Sequence, residues 1–203
     1  RQDVAFHEAV VRAADRGHVE EMRVQESWLD VPAFDPAPFD GAVARVEAQG
    51  IVLTDFVALE ARWPDARRRL YDLAMAVSAD IPATEPFTPV PYAVWTKRFD
   101  GPNYAPDAHF LALDGDRLVG ISSLWLRQAD TDLQTGVTGI LPEYRRRGIA
   151  LALKLRAIAY ARRRGAPTIR TDNAAQNVGM LSINRTLGFV PQPAWVQLTR
   201  TLR

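Results

Sequence analysis

Ile140-Leu141-Pro142-Glu143-Tyr144-Arg145-Arg146-Arg147-Gly148-Ile149-Ala150 is the stretch on which the reading of this chain turns. A β-rich run, Leu133 to Ile140, ends in it, and a helical pattern from Ile149 to Arg164, with Leu151, Leu155 and Ile158 on one face and Gly165 as its stop, starts from it. A strand that turns sharply into a helix leaves several backbone N–H groups at the helix's positive end, where an anion is stabilised. Gly148 lets the chain come close to a ligand, and arginine can hydrogen-bond two oxygens at once. Phosphate is the group this segment suits. The glycine patterns of the phosphate loop and of dinucleotide-binding folds do not occur in the chain.

Toward the C-terminus, Thr168 to Thr171 reads as a strand, Val178 to Leu187 as a helix stopped by Gly188, and Ala194 to Leu202 as a last alternating strand. Toward the N-terminus, Ala108–Leu113 and Arg117–Leu126 are β-rich runs joined by Asp114-Gly115, a pair suited to a tight hairpin. Gly136 and Gly139 inside the next strand mark a bulge or a close backbone approach. Pro64 opens an amphipathic helix carrying Leu70, Leu73, Ala74, Val77 and Ile81 and ended by Pro82, and Pro91 starts a short helix with Trp95 and Phe99. Ala42 to Gln49 is helical with Gly50 as its stop, and Ile51 to Thr54 is a strand. The order is antiparallel strands followed by β-α-β-α-β, an α/β (α+β) fold with a mixed central sheet and helices on both faces. Pro32, Pro36 and Pro38 mark a linker that separates residues 1–35 from a domain over 36–203. In the first piece a helix from Asp3 to Arg16 ends at Gly17 and leads into a strand from His18 to Asp30, echoing Leu187-Gly188-Phe189-Val190; this piece is an N-terminal extension or the end of a truncated first repeat.

Composition narrows the function classes. A chain of 203 residues holds one full domain with a good-sized core, and it begins at Arg1 rather than Met, which reads as a start lost upstream. No run approaches the roughly 18 apolar residues of a membrane helix, so no membrane partner is expected. Absent cysteine removes disulfides and thiolate metal ligands and points to the cytoplasm. A net charge of +1 argues against nucleic acid. The charge is nonetheless uneven: Arg145, Arg146, Arg147, Lys154, Arg156, Arg162, Arg163, Arg164 and Arg170 face the single acid Glu143 between positions 143 and 170, a patch for an anionic ligand. Arg67-Arg68-Arg69 reads as a solvated helix face. His7-Glu8 lacks a second histidine at position 11, so no metal site is expected, and His109 beside Asp107 is structural because no nucleophile elbow accompanies it.

At this point the segment resembles the GNAT superfamily of acyl-CoA N-acyltransferases. Its motif Gln/Arg-x-x-Gly-x-Gly/Ala is matched by Arg145, Gly148 and Ala150, preceded by Ile140-Leu141-Pro142. Further on, Asn177-x-x-Met180-x-x-x-Asn184-x-x-Leu187-Gly188-Phe189 is similar to the family's Asn-x-x-Ala-x-x-x-Tyr-x-x-x-Gly-Phe. The two motifs cover about residues 133–190, and the tandem echo resembles bipartite GNAT proteins of the mycothiol-synthase kind. The resemblance implies transfer of an acetyl group from acetyl-CoA to a primary amine by direct attack. Pantothenate would lie along the backbone of Thr138, Gly139 and Ile140. Arg145, Arg146, Arg147, Gly148, Ile149, Ala150 and Leu151 would bind pyrophosphate, and Asn173 and Asn177 would assist.

The attacking amine must lose a proton, and Asp172, at a strand end where ribosomal-protein alanine acetyltransferases carry a glutamate base, is the candidate; the alternative is that it caps the next helix with Asn173. Asn184 stands where many members carry the tyrosine that protonates the departing thiolate, and an amide does not do that work. Water or another residue (Tyr92, Tyr104, Tyr144) then supplies the proton, or Asn184 orients the cofactor, or the domain binds acetyl-CoA without turnover and regulates a partner. Phe87 to Trp95 and the hairpin are expected to wall the substrate. A second copy or a preceding GNAT half is the expected protein partner.

Overall fold

The computed structural model describes residues 11–13 and 15–200, so most of the helix expected over Asp3 to Arg16 lies outside the described residues. In chain order the elements are β1 (Val19–Asp30), α1 (Ala42–Glu47), β2 (Ile51–Asp55), α2 (Phe56–Arg62), α3 (Ala66–Ser78), α4 (Tyr92–Trp95), β3 (His109–Asp114), β4 (Arg117–Leu126), β5 (Leu133–Ile140), α5 (Ile149–Arg164), β6 (Thr168–Ala174), α6 (Val178–Thr186), β7 (Val190–Pro191) and β8 (Trp195–Thr199). The strands form one sheet in the order β2-β3-β4-β5-β6-β1-β7, with β8 also on β1. The pairs β2–β3, β3–β4 and β4–β5 are antiparallel, whereas β5 and β6, joined through α5, pair parallel. A parallel pair needs such a crossover, which here carries the loop quoted above.

Alternating residues of β3 show why the sheet is covered on both faces. Phe110 and Ala112 join the core built on α5, and Leu111 and Leu113 join the core built on α2, α3 and α4. Leu70, Leu73, Ala74 and Val77 bury the inner face of α3, while Ile81 lies beyond its end and is 43% exposed. The mixed sheet with helices on both faces is the fold the sequence implied.

Three local readings are corrected. The strand over Ile51 to Thr54 runs directly into α2, which the sequence reading passed over; Asp55 Oδ1 accepts from Ala58 N at 2.9 Å and caps it. The buried face of α5 is Ile149, Ala152, Leu153, Lys154, Ala157, Ile158, Tyr160 and Ala161, with Leu151 and Leu155 only half-buried beside it. This helix is apolar nearly all round, so its period was visible but the phase of its contact was not. Finally, β6 continues through Ala174, so Asp172 and Asn173 sit inside a strand, and the cap of α6 is Asn177, whose Oδ1 accepts from Met180 N at 3.2 Å. Asp172 is therefore not a helix cap.

Residues 19–30, placed with the N-terminal piece by the proline linker, form a strand inside the sheet. Val24 to Asp30 pair with Ala174 to Thr168 on one side, and Val19 to Val24 pair with β8 on the other.

Candidate active site

The sheet splits between β5 and β6. Only Leu133–Ile169 and Gln134–Arg170 form ladder pairs, and from Thr135 and Thr171 onward the two strands run apart. Arg170 holds the closed end: its guanidinium pairs with Asp132 and lies 4.5 Å over the Trp28 ring. Beyond it β5 has no strand partner on that side among the described residues, so its backbone edge is open to a ligand that can pair like a strand.

Two adjoining recesses fill the split. The outer one, about 590 Å³, is lined by Thr138, Gly139 and Ile140 of β5, by Arg145, Arg146, Gly148, Ile149, Ala150 and Leu151, and by Asn177 and Met180 of α6. The inner one, about 200 Å³, is lined by Thr135 to Thr138, Lys154, Asp172, Asn173 and Asn177. Thr138, Ile81, Asn177 and Met180 belong to both, so they form one trench. The structure thus brings together every sequence-predicted site residue except Arg147 and Asn184.

The outer end is built for an anion. Arg146 adopts φ +58, a left-handed conformation that non-glycine residues rarely take, and Gly148 adopts φ +83 at the N-cap of α5. Successive turns of this kind gather backbone N–H groups into a concave nest. No side chain caps α5 and its first turn carries no acid, so the N–H groups of Ile149, Ala150 and Leu151 face the recess with the helix dipole behind them. The three arginines play different parts. Arg145 is held by Asp80 at 2.6 Å and by the Ile140 carbonyl at 3.2 Å. Arg147 turns out of the trench to Gln49, with Nε donating to Gln49 Oε1 at 3.0 Å. Arg146 makes no hydrogen bond or ion pair among the described residues and is the arginine left for a ligand. Arg67, Arg68 and Arg69 pair with Glu60, Asp72 and Asp65 on the solvated side of α3.

Gly139 faces the other way as well. A Cβ there would lie 2.6 Å from Val77 Cβ, so the glycine is required by the approach of α3 to β5.

In the inner recess Asp172 accepts a hydrogen bond from Gln134 Nε2 at 2.9 Å. Partial burial raises its pKa above the ordinary carboxylate value, and the charge of Glu26, its cross-strand partner, adds to this; the Gln134 bond opposes both. A carboxylate so raised is a better base. Asn184, 2% exposed, lies behind the trench: its Nδ2 donates to Asn173 Oδ1 at 2.7 Å, and its Oδ1 is buried without a partner among the described residues. Its link to the trench lining is this bond to Asn173. None of the tyrosines considered as proton donors turns a hydroxyl into the inner recess. Tyr144 OH donates to Asp114 at 2.8 Å, Tyr104 OH is buried with its pKa raised by desolvation, and Tyr92 packs edge-on against Tyr71. Phe87 to Trp95 and the hairpin, the expected substrate wall, line neither recess. His109 is buried against the Ala105 carbonyl at 3.0 Å, and its pKa is lowered to about 4 by burial, so it is a neutral structural group.

Lys154 is the site residue that sequence reasoning missed. Its place in the run of basic residues suggests a solvated cation, yet it is 4% exposed, lines the inner recess from α5 and has the Phe189 ring 5.1 Å from its ammonium. The signal was available: one lysine in the middle of an otherwise apolar helix face.

Comparison with known proteins follows the same segment. The model of the acetyltransferase (GNAT) family matches residues 65–189, more than half of the chain. The N-alpha-acetyltransferase 30 of Schizosaccharomyces pombe is 27% identical over 134 residues, covering 62% of this chain and 81% of that protein. A GCN5-related N-acetyltransferase from Sphaerobacter thermophilus superposes with a TM-score of 0.69 at 20% identity over 94% of this chain and 55% of that one. A tandem GNAT protein from the clavulanic acid biosynthesis pathway gives 0.64 at 22% identity over 94% of this chain and 57% of that one. The chain thus spans a little over half the length of these two structures, and at such identities they speak for the fold. Among the described residues no helix is long and apolar enough to cross a membrane.

Proposed function

Because the chain belongs to the acetyltransferase (GNAT) family, we propose that it transfers the acetyl group of acetyl-CoA to a primary amine, by direct attack, in the trench between β5 and β6. The observation that carries this reading is the coincidence, in one trench, of an open strand edge at Thr138 to Ile140 and the uncapped N-terminus of α5. Pantetheine amides pair with the strand edge, and the pyrophosphate sits on the N–H groups from Gly148 to Leu151 with Arg146 beside it. The thioester then lies in the inner recess, and Asp172 takes the proton from the attacking amine. Holding amine and thioester together, with backbone N–H groups turned to the developing oxyanion, supplies most of the acceleration.

The acceptor we infer is a small amine. Peptide N-termini are the other class, supported by the similarity to an N-alpha-acetyltransferase. The second reading is a domain that binds acyl-CoA and does not turn it over, and the buried amide of Asn184 favours it. Release of free thiol from acetyl-CoA, measured with a panel of small amines and of peptides, decides among these. Amine-dependent release supports the transferase. Binding of acetyl-CoA with no release from any amine leaves the binding module.

A further inference from the structure

Among the described residues Lys154 supplies the one cation of the inner recess, and acetyl transfer as set out above gives it no task. Among the described residues it has no hydrogen bond and no ion pair, only the face of Phe189. An ammonium withdrawn from water without a counter-charge destabilises the fold, and a methionine of similar length would fill the same space without that penalty. The groups around it are otherwise uncharged: Thr135 to Thr138 from β5, Met22 and Val24 from β1, Asn177 and Met180 from α6, and Phe189 before β7. The titratable group facing the same recess is Asp172 on β6. Such a site is completed by an anion that arrives with the ligand.

A thioester acquires its negative charge at sulfur as the acyl group leaves. Position 184, where the family places a hydroxyl, holds an amide already bonded to Asn173, and no tyrosine hydroxyl reaches the recess. We propose that Lys154 donates the proton to the departing CoA sulfur, an inference that rests on the trench being the acetyl-CoA site. In this step the amine nitrogen bonds to the carbonyl carbon, the C–S bond breaks with its electron pair on sulfur, and the proton moves from Nζ to sulfur. The products are the amide, CoA thiol and neutral Lys154, which regains a proton from solvent; the proton of the attacking amine goes to Asp172. Burial lowers the Lys154 pKa to about 8, which makes its ammonium a stronger acid than that of an exposed lysine.

The chain contains two lysines, and Lys97 is exposed, so lysine labelled with 13C at Cε gives two assignable signals. The Lys154 signal is titrated with no ligand, with CoA, with desulfo-CoA and with succinyl-CoA, and binding of each is checked by thermal shift. A midpoint raised by CoA and not by bound desulfo-CoA supports the assignment, because the response then depends on sulfur. An equal response to both, or none to either while both bind, overturns it. A larger response and tighter binding with succinyl-CoA make Lys154 the receptor of an acyl carboxylate and also overturn it. If no ligand stabilises the protein, the trench is not a CoA site and the assignment falls with that reading. In turnover, Lys154→Met lowers thiol release roughly 10²-fold with affinity for acetyl-CoA kept. Lys154→Arg, which keeps the cation and gives up no proton, stays equally slow. Full rate in either folded variant contradicts the role.

Discussion

Asp172 and Lys154 face the same small recess, and their environments move their pKa values in opposite senses: the carboxylate up, the ammonium down. As the proposed base, Asp172 works only when ionised, so the rate should fall as the pH drops through its raised pKa. Replacing Glu26 by Gln removes a charge that raises that value, and the acid limb of kcat/KM should then move to lower pH; an unmoved limb would detach Asp172 from it. Asp172→Asn should lower kcat by roughly 10²-fold or more, and full turnover in that variant removes it as the base. For Lys154 the sign runs through stability. Its folded pKa of about 8 lies below the unfolded value near 10.4, so between these the folded chain binds fewer protons and stability rises with pH. Below about pH 8 the burial cost is fully present, about 3 kcal/mol at most. Urea unfolding should therefore find Lys154→Met more stable than the parent at about pH 7, with the difference shrinking toward pH 10. A difference independent of pH would mean that Lys154 is not a buried cation.

At the scale of elements, the turn into α5 separates residues that look alike in sequence. Arg146 lines the trench unpaired, whereas Arg147 is held by Gln49 and stacks 5.3 Å from the Tyr144 ring. Arg146→Ala should weaken acetyl-CoA binding by about 1.5–3 kcal/mol, as loss of a hydrogen bond to a charged group does, and Arg147→Ala much less; calorimetric titration of the two gives the ratio. Gly139→Ala brings a Cβ within 2.6 Å of Val77 Cβ and should cost about 1–3 kcal/mol by displacing α3 from β5. Much of this was legible beforehand. The bounds of β5 and α5, the hairpin at Gly115 with φ +57, and the helix N-terminus behind the three arginines all follow from local patterns. What local patterns do not encode is which arginine turns inward, or which side of an apolar helix meets the sheet. Both depend on partners far away in sequence, Gln49 for Arg147 and Phe189 for Lys154. The missed α2 has a different cause: its cap, Asp55, is also the last residue of β2, so the strand pattern concealed the helix start.

Over the whole molecule the separation of β5 from β6 is the feature that opens the sheet into the proposed ligand site, and β1 pairs the strand on the far side of that opening. By pairing with β6 along seven residues, β1 fixes the strand carrying Asp172 and Asn173 while β5 is held by β4. Deleting residues 11–36 should leave β6 and β8 without their shared neighbour and abolish cooperative unfolding followed by circular dichroism. A sharp transition in the shortened chain would show that β1 is dispensable. The most direct measurement is calorimetric titration of the protein with acetyl-CoA, paired with a thermal melt. A single saturable site that raises the melting temperature as ligand increases is the expected result, since a ligand bound only by the folded state stabilises it by mass action. No binding heat and an unchanged melting temperature at millimolar acetyl-CoA would contradict the assignment of the trench.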